Sequence, residues 1–152
     1  MFKKILVAID GSAQANLAFD FGVDLAKKDG AELLVLTVVP PLPVYIAEEG
    51  ELSYFQRFID DMEQFHNNLL TETIRDIKSN HMGLKARSVL KKGEPSRNII
   101  EVAKEEEADL IILGNRGIGG ILSWMLGSTS KRVADACTVP VLIVKDREYC
   151  EA

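Results

Sequence analysis

Nothing constrains this chain more than its alternation of short, wholly apolar runs with segments of helical period. The runs KKILVAI (3–9), ELLVLTVV (32–39), DLIIL (109–113) and VPVLIV (139–144) carry almost no polar face. Strands that are apolar on both sides must be covered on both sides, which is the signature of a parallel sheet between two helical layers. The segments between them supply that cover. Residues 12–29 place Ala15, Ala18, Phe21, Gly22, Leu25 and Ala26 at helical spacing and end at Gly30, a C-cap residue. From Phe55 a long helix is predicted, with Phe58, Ile59, Met62, Phe65, Leu69, Leu70, Ile74 and Ile77 as its apolar face. GEPS opens another at Pro95, a tolerated first-turn position, with Ile99, Val102 and Ala103 inward. A last helix is expected over 128–137. Residues 84–90, LKARSVL, alternate as a half-exposed strand does. The order β-α-β-α-β-α-β-α-β predicts an α/β fold, a doubly wound parallel sheet of five strands.

No repeat, linker or low-complexity stretch divides residues 1–152, and the length suits one domain. Acidic residues outnumber basic ones, 23 to 18, giving a net charge of −5. A nucleic-acid backbone binder would carry a basic patch, so no nucleic-acid partner is expected. The apolar runs fall far short of a membrane span and the first is too short for a signal sequence, so a cytoplasmic protein off the membrane is expected. Cys137 and Cys150 form neither a metal spacing nor a disulfide framework; Cys137 reads as a small core residue and Cys150 as a tail thiol. His66 and His81 have no supporting ligand spacing and read as surface or boundary residues rather than metal ligands.

Open α/β sheets bind ligands beyond the carboxyl ends of their strands, where strand order reverses. If the first and fourth strands are central neighbours, two loops qualify: Asp10–Gly11–Ser12, and the stretch GNRGIGGILSWMLGSTS at 114–130. Five of the chain's eleven glycines, at 114, 117, 119, 120 and 127, stand in the second. Glycine there is costly unless the backbone needs φ > 0 or close approach. Ser128-Thr129-Ser130 would begin a helix whose free amides suit an anion. Lys131 and Arg132 follow in the first turn, where acids are ordinarily preferred, and make more sense with an anion nearby. Blander readings stand beside these. Asp10 and Ser12 could simply cap the first helix, Ser128 or Thr129 the last. The glycines could form a loop and nothing more. Arg116 could be solvated or reach phosphate, and Trp124 with its apolar neighbours could be a packed loop or a partner surface.

The spacing Gly114-x2-Gly117-x9-Gly127-Ser128, with VAIDGS after the first strand, GEPSRNIIEVAKEEEADLIILGNRG and GSTSKRVADACTVPVLIVK, resembles the universal stress proteins over nearly the whole chain. The resemblance implies a Rossmann-like sheet of order 3-2-1-4-5. For members with this motif it implies adenine-nucleotide binding: ATP, ADP or AMP, with Mg2+ or Mn2+ held by the phosphates rather than by protein ligands. Asp10 and Val38 would border adenine and ribose. Leu113, Gly114 and Gly117 would line ribose and phosphates, with Arg116 alongside, and Gly127, Ser128 and Thr129 would hold phosphate. Ala8, where some members have proline, belongs to the same set, and Asn115 stands where serine is frequent. The implied role is a stress-response regulatory protein, a homodimeric nucleotide-dependent switch with a further protein partner. The alternative is a slow ATP-hydrolysing or phosphoryl- or adenylyl-transferring enzyme. Against that alternative stand the lack of a P-loop lysine, of a histidine in the motif and of paired carboxylates; Asp10 is the one acid expected at the site.

The fifth strand is expected at the sheet edge, where an apolar strand is an aggregation hazard. Either the C-terminal tail covers it, or residues 139–145 pair with a second subunit about a two-fold axis. The resemblance favours the dimer.

Overall fold

A computed structural model of the protein describes residues 1–42, 52–118 and 126–145. The elements follow in the order β1 (Lys4–Ala8), α1 (Ala13–Asp29), β2 (Glu32–Val39), α2 (Leu52–Asn80), β3 (Ala86–Lys92), α3 (Pro95–Glu105), β4 (Leu110–Gly114), α4 (Ser128–Ala136) and β5 (Val141–Val144). All five strands join one parallel sheet of order β3-β2-β1-β4-β5. The doubly wound order that the family resemblance implies is therefore the order observed.

Both faces of the central strands are sealed. Ile5, Leu6 and Val7 of β1, and Leu33 through Leu36 of β2, have no exposed surface. Side chains alternate between two cores, as the two-residue period of a strand requires. One core holds Ile5, Val7, Leu33, Val35 and Ile112 beneath α1 and α2. The other holds Leu6, Leu34, Leu36, Val38, Ile111 and Leu113 beneath α3 and α4. Fully burying one such side chain contributes about 1.5–3 kcal/mol.

Helix ends follow local chemistry. Ser12 caps α1, its Oγ accepting the Ala15 amide at 3.2 Å, and Gly30 closes the helix at φ 67°. Glu94 caps α3 by accepting the Ser96 and Arg97 amides. β3 runs two residues later than the alternation of 84–90 suggested. Lys91 and Lys92 continue it, paired in register with Val38 and Val39. Their charged ends reach Glu105 and Glu63, which suits a sheet edge exposed to water. Two aromatics assigned to the face of α2 stand partly in solvent, Phe58 at 52% and Phe65 at 46% exposure, as does Phe21 of α1 at 48%. Leu70 and Ile77 are buried as expected, and His66 joins them on the buried stripe of α2. Gly119, Gly120, Trp124, Cys150 and the C-terminal tail lie outside the described residues, as does most of the segment 40–54.

Gly114 shows why the end of β4 is bare. It is buried beside α1, and a Cβ built there would stand 2.7 Å from the carbonyl carbon of Gln14. Backbone cannot step aside as a flexible side chain can. Gly114→Ala should therefore lower stability by about 1–3 kcal/mol, the cost of overpacking. Urea denaturation checks this; a midpoint unchanged from wild type would show that α1 shifts freely.

Candidate functional site

The carboxyl ends of β1, β2 and β4 open into a cavity of about 640 Å³. The residues that the resemblance assigns to the nucleotide line it: Ala8, Asp10, Val38, Leu113, Gly114, Arg116, Gly117, Gly127, Ser128 and Thr129. β1 and β4 are adjacent while their connections lead to opposite faces, so the cavity lies where strand order reverses. One wall is apolar, formed by Ala8, Leu36, Val38, Ile99 and Leu113. Another is the start of α4.

Asp10 does not cap α1; Ser12 does. The Asp10 carboxylate joins the two loops instead. Its Oδ1 accepts the Ser12 amide at 2.9 Å, and its Oδ2 accepts the Ile118 amide at 3.0 Å, 108 residues away. Gly117 lies against this carboxylate, and a Cβ there would overlap Oδ2. Gly127 is held by its amide to the Asn115 carbonyl at 2.7 Å, with the Arg116 Cα 3.2 Å from where its Cβ would be. None of Gly114, Gly117 and Gly127 has positive φ; among the described glycines that region is used by Gly11, Gly30, Gly83 and Gly93. Of the two reasons for glycine in this stretch, close approach applies at these three positions, and the approaching groups include the chain's own.

The start of α4 differs from the plain-cap reading. Its N-cap is Gly127, which makes no side-chain cap hydrogen bond, so Ser128 and Thr129 already lie inside the first turn. Ser130 points inward, its hydroxyl donating to the Gly114 carbonyl at 2.8 Å. The first turn therefore offers amide donors that no side chain among the described residues satisfies. Arg132 has an intramolecular reason for its position: its Nη1 stands 3.6 Å from Glu94 Oε1.

His66 overturns the surface reading. It is 4% exposed, lines the cavity from α2, and its Nδ1 lies 2.8 Å from Thr37 Oγ1 on β2. Phe65 packs edge-on against the ring, with centroids 5.3 Å apart. A signal was present in the sequence: His66 stands four residues after Met62 and four before Leu70, on one helix stripe. Burial holds its pKa below the ordinary 6.5, against the pull of the Asp10 carboxylate. Cys137, at the end of α4, is half-buried, and burial raises its thiol pKa.

A doubly wound sheet with a glycine-bordered crevice at its switch point places the chain among the Rossmann-like α/β folds. Comparison narrows the class. The universal stress protein family model matches residues 1–145. The chain is 38% identical over 151 residues to the universal stress protein YxiE of Bacillus subtilis, covering 95% of this chain and all of that one. The chain belongs to the universal stress protein family. Its fold resembles that of the universal stress protein UspA from Lactobacillus plantarum, with TM-score 0.82 and 24% identity over 94% of this chain and 97% of that one. It also resembles a universal stress protein solved in complex with cAMP, with TM-score 0.65 and 25% identity over 95% and 97% of the two chains.

Because the folded state lowers the pKa of His66, the unfolded chain binds that proton first as pH falls. The contribution is intact above about pH 6.5 and is lost as pH drops from there toward the folded-state value. Wild type should thus lose stability across this window more steeply than His66→Phe. Urea midpoints at a series of pH values from neutral to mildly acidic test this, and parallel profiles would refute it.

Proposed function

We propose that this protein binds an adenine nucleotide in the crevice and acts as a homodimeric, nucleotide-dependent regulatory switch. The observation that carries the reading is the start of α4, uncapped by any side chain among the described residues and facing the same cavity as an apolar wall. An anion at a helix start meets unsatisfied amides and the positive end of the helix dipole. Gly127, Ser128 and Thr129 would hold phosphate. Asp10 and Val38 would border ribose and base, with Ala8 beside them. Leu113, Gly114, Arg116 and Gly117 would line the passage between. The residues present fit a nucleotide in both halves, an apolar slot and an anion site. A Mg2+ or Mn2+ ion would be held chiefly by the phosphates. The relative solved with cAMP supports the adenine reading.

Slow turnover or none is expected. Both oxygens of Asp10 already accept backbone amides, so the carboxylate serves the loops rather than an attacking water. His66 is a titratable group that the sequence reading did not place at the site.

Titration with ATP, AMP and GTP plus magnesium should show stabilisation by the adenine nucleotides. At about 100-fold over the dissociation constant this amounts to about 2.7 kcal/mol, or roughly 5–10 °C in Tm. Gly117→Val, whose side chain would displace the Asp10 carboxylate, should remain folded by circular dichroism and lose more than about tenfold in affinity. No shift with any adenine nucleotide on nucleotide-free protein counts against the assignment, as does a valine variant that binds normally.

The dimer is proposed through β5. It pairs only with β4, leaving its second edge open among the described residues. Ile143→Lys places a charge on that strand and should shift sedimentation toward monomer. A wild type already monomeric at micromolar concentration removes the proposal.

A further inference from the structure

The buried histidine has one ring nitrogen spoken for and one that is not. His66 Nδ1 meets Thr37 Oγ1 at 2.8 Å, and both residues are buried, Thr37 at 1% exposure. The Thr37 hydroxyl has no other partner among the described residues. If the imidazole donated through Nδ1, the hydroxyl hydrogen of Thr37 would be buried without an acceptor, an arrangement folded proteins avoid. The hydroxyl therefore donates and Nδ1 accepts. With Nδ1 accepting, the ring proton sits on Nε2, and burial disfavours the doubly protonated ring. Nε2 has no protein partner among the described residues and is not sealed off. The ring lines the cavity, with Phe65 edge-on to fix its plane.

We propose that His66, set by Thr37, donates its Nε2–H to a ring nitrogen of the purine bound in the cavity. This rests on the nucleotide reading and adds which part of the ligand is read. The acceptor is on the base rather than on phosphate because of the setting of the ring. The α2 neighbours of His66 on the cavity wall are Met62 and Phe65, an apolar setting suited to a neutral donor and a neutral acceptor. An anion there would draw a second proton onto Nδ1 and strip Thr37 of its acceptor. His66 is thus a specificity residue, and Thr37 a positioning residue acting through it.

The test is calorimetric titration with AMP and with three deaza analogues, in which N1, N3 or N7 is replaced by C–H. Wild type should lose about five- to tenfold in affinity for one analogue, the value of one hydrogen bond. His66→Phe should bind AMP more weakly by a similar factor and bind that analogue as it binds AMP. Thr37→Val, which frees the tautomer without touching the ligand, should show reduced discrimination between the two. Equal wild-type affinity for AMP and all three analogues overturns the proposal while leaving the nucleotide reading intact. So does undiminished discrimination in either variant. Failure of wild type to bind AMP or any other adenine nucleotide ends the underlying reading, and this one with it.

Discussion

The structure depends on a single requirement: β1 is hydrogen-bonded on both edges and apolar on both faces, so it can exist only at the centre of a covered sheet. Its neighbours are β2 on one side and β4 on the other, both parallel to it. Parallel neighbours need crossover connections, and the two directions of crossover lay α1 and α2 on one face and α3 and α4 on the other. The loops leaving β1 and β4 then start side by side and diverge. The crevice is a consequence of that divergence, present before any side chain is considered. What the side chains add is closure: Asp10 joins the two loops through Ser12 and Ile118.

Much of this was legible in the sequence, for a physical reason. Strands buried on both sides must be apolar throughout, so ILVAI, LLVLTVV and LIIL announce themselves without homologous sequences for comparison. The place of the cavity was legible because the switch point follows from strand order, and the family resemblance implied that order. The edges were less legible. β3 has water on one side, so Lys91 and Lys92 can be strand residues while looking like loop. On α2 the expected face was right at Leu70 and Ile77, while Phe58 and Phe65, the largest apolar residues assigned to it, stand partly in solvent. The buried face is set by register, and it includes a histidine.

His66 escaped notice because its partner is a threonine in the middle of an apolar strand. Thr37 reads as one more β-branched residue in ELLVLTVV. Neither residue signals polarity alone; only the fold brings them within hydrogen-bonding distance. Buried polar pairs of this kind are the features sequence patterns conceal best, since each member is individually compatible with a bland role. The start of α4 is a second case. Serine and threonine there suggested a cap, and only the backbone shows that Gly127 occupies the cap position.

The contact between Gly117 and Asp10 also limits how such a protein can diverge. Any side chain at 117 collides with the carboxylate at 10 while the carboxylate holds the Ile118 amide. The two positions are therefore not free to drift separately. A lineage that lost the glycine first would pass through a form with its loops unlatched. A shortened residue at 10 would have to come first, leaving the Ser12 and Ile118 amides to find water. The order of substitutions, and not just their identity, is written into this pair, and the glycine and the acid should be inherited or abandoned together.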